Sequence, residues 1–401
     1  MQEVYIYDAV RTPRGAGKRR GPLQEIKPIQ LLTSTILTML ERHNAIAEHL
    51  GDLVVGCMTP VGEQGGNIAR AAALFSGLPH RVAGVQVNRF CASGLEAVQL
   101  ATAKIQVGWE ELMLAGGLES MSRIEEGSDG GPLLFDPDVR AAVNFVPRWV
   151  SADLLATLEG YTREQLDEHA LLMHTRALKA QREELLIKSI VPVFDINQLP
   201  ILKKNECLRP NASTEWLATL EPNIADTEDR GYDVMATLRY PAISELQHLH
   251  TEGNSAPLAD GAAMILLGNA AMGERLGLKA RAKILSAATL GVEPTLMLHG
   301  ATEVAEKAIK LAGLSIDDID LWEINEHFAA VGLKFLESMK VNPEKVNVFG
   351  SDIAWGYAAG AMGAIALGTL LDGLEWADKK LGCIALCARG GMASALVVER
   401  V

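Results

Sequence analysis

Two cysteines stand where a thiol can attack or deprotonate a carbon. Cys91 follows the apolar run Val85-Gln86-Val87-Asn88 and opens a segment, Ala92 to Lys104, in which Leu95, Val98 and Ala101–Thr102 recur at helical spacing. A thiol at the start of a helix meets the positive end of the helix dipole and backbone N–H groups without helical partners, and both favour the thiolate. The N–H of residue 91 can also hold an oxyanion on the attacked carbon. The small residues Ala92, Ser93 and Gly94 let that carbon approach. A lone cysteine is ordinarily buried structure; here position and neighbours favour a nucleophile. Cys387 ends a second apolar run, Cys383 to Cys387, just before Arg389-Gly390-Gly391. Glycines there let a backbone lie close to a substrate, and a second thiol could act as a base.

The elements that must hold these thiols alternate between strand-like and helix-like, the α/β pattern. Leu53 to Gly56, Val85 to Asn88 and Leu112 to Ala115 are apolar runs of strand length. The second half repeats the unit: Val346 to Gly350 predicts a strand, Gly360 to Leu371 an alanine- and glycine-rich helix, and Cys383 to Cys387 another strand. Gly116-Gly117 closes the first copy and Gly390-Gly391 the second, which implies a duplicated lobe. Between the copies, residues 121–252 read as a loop-rich insertion with a charged helix from Thr162 to Glu184. Such insertions tend to carry ligand contacts. Asp260 to Leu267 returns to the core.

The totals exclude several classes. At 401 residues the chain needs more than one packed lobe. A net charge of −13 argues against a nucleic-acid groove or an anionic membrane as partner, though not against a local patch for a small anion. No apolar run is long enough to span a bilayer; Ala358 to Leu371 is broken by glycines and reads as a buried helix. Five scattered cysteines make no disulfide framework, so reduced thiols and a cytoplasmic location are expected. No cysteine or histidine cluster suggests a metal; His248-x-His250 reads as a polar edge, and His169 and His174 as solvated positions on the charged helix.

The stretch Val87-Asn88-Arg89-Phe90-Cys91-Ala92-Ser93-Gly94-Leu95-Glu96-Ala97-Val98 resembles the nucleophile loop of the thiolases, the acetyl-CoA acetyltransferases and 3-ketoacyl-CoA thiolases. The resemblance runs through the whole chain. Arg11-Thr12-Pro13 resembles their N-terminal signature, and Ala115 to Ser122 the segment leading into their loop domain. Gly253 to Ala262 resembles the loop beside their bound pantetheine, and Asn325-Glu326-His327-Phe328 their Asn-Glu-Ala-Phe motif. The fold it implies is α/β, two similar βαβαβαββ lobes in five layers plus a loop-rich domain. The boundaries expected are residues 1–120 with 253–278, then 121–252, then 279–401. The chemistry implied is acyl transfer: Cys91 takes an acyl group from a CoA thioester, and CoA removes it. In the synthetic direction Cys387 removes an α-proton from acetyl-CoA. Asn325 would position a water in one oxyanion hole, with N–H groups at Cys91 and Arg389 forming the other. Ser255, Ala256, Phe328 and Arg389 would line the path of the CoA thioester, with Trp149 and Trp216 either on that path or in local core.

Three positions depart from the family pattern. Gly356-Tyr357-Ala358 stands where thiolases have Gly-His-Pro, so Tyr357 replaces the histidine that activates the nucleophile. Cys387-Ala388-Arg389 stands for Cys-x-Gly, and His327 for the alanine of Asn-Glu-Ala-Phe. Tyrosine is a poor base near neutrality but can donate to an oxyanion. Arg389 would be strained if the glycine it replaces has a positive φ, and it could pair with an anion such as a substrate carboxylate. His327 could supply the imidazole lost at Tyr357, or sit in the lobe interface as a satisfied polar group. The expectation is a thiolase-type acyltransferase of altered or reduced activity. The alternatives are a catalytically impaired acyl-CoA binding or assembly subunit, and a β-ketoacyl-synthase-like enzyme. No metal or tightly bound cofactor is expected, CoA and acyl-CoA are the partners, and a homodimer or homotetramer is the expected assembly.

Overall fold

The computed structural model describes residues 1–222 and 231–401. Twelve strands run in chain order: β1 Val4–Arg11, β2 Gly15–Ala16, β3 Asp52–Gly56, β4 Val85–Val87, β5 Leu112–Ser120, β6 Val193–Phe194, β7 Pro200–Leu202, β8 Ala259–Asn269, β9 Ala282–Gly291, β10 Leu321–Ile324, β11 Leu381–Ala388 and β12 Met392–Arg400. Ten of them form one sheet in the order β10-β11-β12-β9-β1-β8-β5-β3-β4, with β2 added on β8. The sheet is two half-sheets joined at a short antiparallel contact, Tyr5–Ile6 of β1 against Lys283–Ala282 of β9.

Each half repeats one pattern. In the first, β4, β3 and β5 are parallel, and β8 and β1 follow antiparallel. In the second, β10 and β11 are parallel, and β12 and β9 follow antiparallel. The segment predicted as a strand at 346–350 occupies the place that β4 has in the first half, but it narrows to one bridge, Val346 to Trp322. The backbone turns away at once: Asn347 adopts φ +47° and Gly350 φ +83°. The Asn347 side chain instead clamps β10, accepting from Ile324 N–H at 2.9 Å and donating to its carbonyl at 3.1 Å.

Five layers result. Helices Pro28–Arg42 and Ile68–Phe75 cover the first half-sheet, and helices Ala301–Leu311 and Ala329–Met339 cover the second. Two helices, Ser93–Gln106 and Met362–Trp376, lie between the sheets. Strand alternation serves both sides: in β8, Met264 and Leu266 enter the outer core while Ile265 and Leu267 enter the central one. The Met362–Trp376 helix is buried from Met362 through Leu374, which explains its apolar run and its glycines. A Cβ on Gly363 would lie 2.2 Å from the Leu95 backbone nitrogen, so only glycine lets the two central helices meet there. No helix of the described residues is long and apolar enough to cross a membrane.

Between β5 and β8 lie helices Arg148–Glu159 and Arg163–Arg182 and the two-stranded sheet β6–β7. The second helix starts at the capping residue Thr162, as its sequence predicts. Its histidines are not solvated. His169 is buried with Nε2 3.0 Å from Glu326, and His174 is buried with Nε2 3.2 Å from the Gly253 carbonyl. One face of this charged helix packs on residues 253 and 326, and tertiary contact overrides its polar composition. His248 and His250 both bind Asp153, at 3.0 and 2.7 Å, and no metal-binding group occurs among the described residues.

Candidate active site

The turn that presents Cys91 is held from both ends. Phe90, just before it, has φ +47°, a left-handed conformation that a large side chain adopts only under constraint. Asn88 accepts the Phe90 N–H at 2.7 Å and donates to the Met58 carbonyl at 3.0 Å. Ser93 Oγ accepts the Arg89 N–H at 2.9 Å and donates to the Phe90 carbonyl at 2.6 Å. Arg89 is forked onto Glu96 at 2.6 and 2.9 Å. The helix begins at Ser93, so Cys91 precedes it by two residues, and 4 % of the residue is exposed.

Cys387 is the last residue but one of β11, deeply buried, with Sγ 3.0 Å from the Leu298 carbonyl. Burial pushes its thiol up to about 12, opposed by the backbone N–H groups of Ala301 and Gly300 at the start of the Ala301–Leu311 helix. The second thiol is thus also set at a helix N-terminus, which its own sequence neighbours do not reveal. Asn325 locks this strand end: Oδ1 accepts the Cys387 N–H at 2.8 Å, and Nδ2 donates to the Cys387 carbonyl at 2.8 Å. The same Nδ2 lies 3.3 Å from His327 Nε2.

His327 and Tyr357 meet edge to face, ring centroids 4.0 Å apart. Burial, helped by the Arg148 guanidinium, holds the His327 imidazole well below its ordinary value, so it is neutral at pH 7. Burial raises the Tyr357 phenol well above its ordinary value; the neighbouring Cys91 thiol adds to this and Arg148 opposes it. The Tyr357 hydroxyl is buried without a hydrogen-bond partner among the described residues. A neutral phenol beside the nucleophile is a donor in waiting rather than a base.

Around Cys91 lies a narrow cavity of about 10 Å³ lined by Arg148, Met297, Leu298, His327, Ala388 and Arg389. It borders a groove of about 930 Å³ that shares Arg148 and Arg389 and is also lined by Lys18, Arg19, Arg123, Glu125, Glu126, Trp149 and Leu258. Trp149 therefore faces the groove, whereas Trp216 stacks under Arg209, 4.9 Å from its ring. Ser255 bridges Phe328, Ala256 N–H donates to the His327 carbonyl at 2.8 Å, and Tyr357 N–H donates to the Pro257 carbonyl at 2.8 Å. That loop ties the His327 and Tyr357 segments together. Phe328 is buried against the His250 ring at 5.3 Å.

Arg389 is not strained: the positive φ values fall on Gly390 and Gly391, at +74° and +70°. Its guanidinium lies 5.3 Å from the centre of the Phe90 ring and pairs with Glu126. Arg148 pairs with the same carboxylate at 3.0 Å and lies over the Tyr357 ring at 5.5 Å. The sequence reading missed Arg148 and Glu126. Nothing in one sequence distinguishes these two from the other charges of the insertion.

A doubled α/β lobe that brings two thiols together near helix starts, one of them lining a small cavity, fits a class, the enzymes that carry acyl groups on cysteine. The model of the thiolase N-terminal domain matches residues 4–231, and that of the thiolase C-terminal domain matches residues 278–400. The chain is 36 % identical over 410 residues to a protein of Idiomarina loihiensis named 3-ketoacyl-CoA thiolase, covering all of both chains. It is 33 % identical over 406 residues to the Bacillus subtilis protein of the same name, again over all of both. The crystal structure of the Bacillus anthracis acetyl-CoA acetyltransferase superposes with a TM-score of 0.85 at 30 % identity, covering 100 % of this chain and 99 % of that one. The chain belongs to the thiolase family, and it is a thiolase-type acyltransferase.

Proposed function

We propose that the chain moves acyl groups between CoA thioesters through an acyl-Cys91 intermediate, cleaving 3-ketoacyl-CoA with CoA or condensing acetyl-CoA in reverse. The observation that carries this reading is the nearness of two thiols, Cys91 on the cavity and Cys387 buried beside Ala388, which lines it. In cleavage, the Cys91 sulfur attacks the 3-keto carbon and its proton passes to a base. The bond between carbons 2 and 3 breaks, and the acetyl-CoA enolate takes a proton from Cys387. The thiol of free CoA then gives its proton to the Cys387 thiolate and attacks the acyl-Cys91 carbonyl, and Cys91 leaves as the thiol with the proton that the base had taken. His327, held neutral, is the proton acceptor for Cys91, and Tyr357 donates to the oxyanion. Asn325 fixes the Cys387 strand end. Ser255, Ala256 and Phe328 border the thioester path. CoA and acyl-CoA are substrates, with no resident cofactor, in a cytoplasmic homodimer or homotetramer.

The test is single-turnover acylation by acetyl-CoA, read by quenched intact mass on wild type, His327→Ala, Tyr357→His and Tyr357→His/Arg389→Gly. His327→Ala should slow Cys91 acylation by about 10²-fold or more, the usual worth of a general base. Tyr357→His should change it little. One observation favours the other reading, a binding subunit with little turnover: a partnerless tyrosine stands at the expected base position. In that case wild type acylates slowly, His327→Ala is silent, and the double variant gains thiolysis.

A further inference from the structure

The cavity at Cys91 is apolar on one side, where Met297, Leu298 and Ala388 line it, and cationic on the other, where Arg148 and Arg389 do. Both guanidinium groups reach the same atom, Oε1 of Glu126. Two cations therefore share one carboxylate, and each fork spends a single nitrogen on it. Beyond this, one guanidinium faces the Tyr357 ring and the other the Phe90 ring. The pair is sheltered, with 17 % of the Arg148 side chain and 11 % of the Arg389 side chain accessible.

The remaining titratable groups around the cavity supply no second anion. Burial keeps the imidazole of His327 and the phenol of Tyr357 neutral, and it holds the Cys387 thiol up at about 12. Cys91 itself is spent when it is acylated, because a thioester sulfur carries no charge. At that stage a sheltered positive charge faces the acyl chain without a partner, a costly arrangement unless an anion arrives. The free nitrogens of two forks offer a carboxylate charge-assisted hydrogen bonds in a planar geometry that suits it.

Resting on the acyl-Cys91 reading, we propose that the acyl pocket selects short acyl groups ending in a carboxylate, with Arg148 and Arg389 as the specificity-determining residues. The preferred substrate class is then the mono-CoA thioester of a short 3-oxodicarboxylic acid, whose distal carboxylate stays on the acyl group that Cys91 holds. Met297, Leu298 and Ala388 offer its methylenes apolar contact, and the small size of the cavity favours a short chain. Glu126 orients the two forks and competes with the substrate for them.

The test compares CoA-dependent cleavage of two thioesters of equal chain length, 3-oxohexanoyl-CoA and the mono-CoA thioester of 3-oxohexanedioic acid, by the full chain. Wild type should favour the dicarboxylic substrate in kcat/KM by at least about tenfold, since a site built for a polar group rejects the analogue that lacks it. Arg148→Met and Arg389→Gly should each lower that ratio about tenfold, chiefly through KM for the dicarboxylic substrate. Glu126→Gln should raise it. A wild type that prefers the neutral chain overturns the proposal without any variant having to fold. So do arginine variants that slow both substrates equally, which would assign the arginines to the CoA phosphates or to the nucleophile. A wild type that forms no acyl-Cys91 with either thioester overturns the acyl-Cys91 reading, and this proposal with it; intact mass separates that case from a loss of preference.

Discussion

Burial raises the thiols of Cys57, Cys207, Cys383 and Cys387. It pushes Cys207 up to about 11 and Cys387 up to about 12, and it raises Cys57 and Cys383 far above the ordinary thiol range. Cys91 instead sits before a helix with the Arg148 guanidinium nearby. Brief iodoacetamide treatment at pH 8 followed by peptide mapping should therefore label Cys91 first. Equal labelling of Cys57 and Cys207 would remove the claim of a special environment. At the same scale, His327 has a sign that can be checked. Its pKa is lowered, so its neutral form persists below pH 6.5, and acylation should not fall between pH 7 and pH 6 through protonation of this imidazole. A rate that titrates with an ordinary imidazole midpoint, and loses that limb in His327→Ala, would place His327 in a more solvated setting.

The central helices depend on glycines at their crossing. A methyl group on Gly363 would press on the Leu95 backbone, which cannot yield as a flexible side-chain end can. Gly363→Ala should cost about 1–3 kcal/mol, the usual range for overpacking, and lower the thermal midpoint. An unchanged midpoint would mean that the two helices slide apart freely. The Arg163–Arg182 helix carries a pH-dependent contribution. Burial holds His174 at about 4, against an ordinary 6.5 in the unfolded chain. Between those values the unfolded chain binds the extra proton, so this residue's contribution falls as pH falls through that window. His174→Gln keeps a donor for the Gly253 carbonyl and removes the titration. Its stability relative to wild type should improve by at most about 3 kcal/mol from pH 7.5 to pH 4.5, read by urea unfolding. A gap independent of pH would show that the histidine titrates alike in both states.

At the scale of the molecule, β4 ends the sheet with one side unpaired, and Leu74 and Phe75 are exposed on the neighbouring helix. An open edge beside apolar side chains calls for cover, and a second copy would supply it symmetrically. Light scattering at micromolar concentration should show a dimer or larger, joined through the first lobe. A single species at the 43.1 kDa of one chain would count against that assembly.

The sequence by itself determined the doubled α/β unit, a candidate nucleophile and the positions where the family pattern changes. It could do so because strand and helix periods, the turn chemistry at Asn88 to Gly94 and the glycines beside each thiol are local properties of consecutive residues. It also predicted a helix across 162–184 and a glycine-rich helix near 360–371, and the fold extends the latter to Trp376. What stayed illegible is whatever depends on residues distant in the chain. The 346–350 strand shrinks because Asn347 clamps β10, a contact 23 residues long. His169 and His174 look solvated on a charged helix and are buried because residues 326 and 253 close over them. Arg389 would be strained only if its position needed a positive φ, and the structure passes the left-handed backbone to the two glycines that follow. Arg148 and Glu126 enter the site only when the insertion folds back over Cys91. Their charge at the cavity comes from side chains converging across 263 residues between Glu126 and Arg389, a separation that no local pattern encodes.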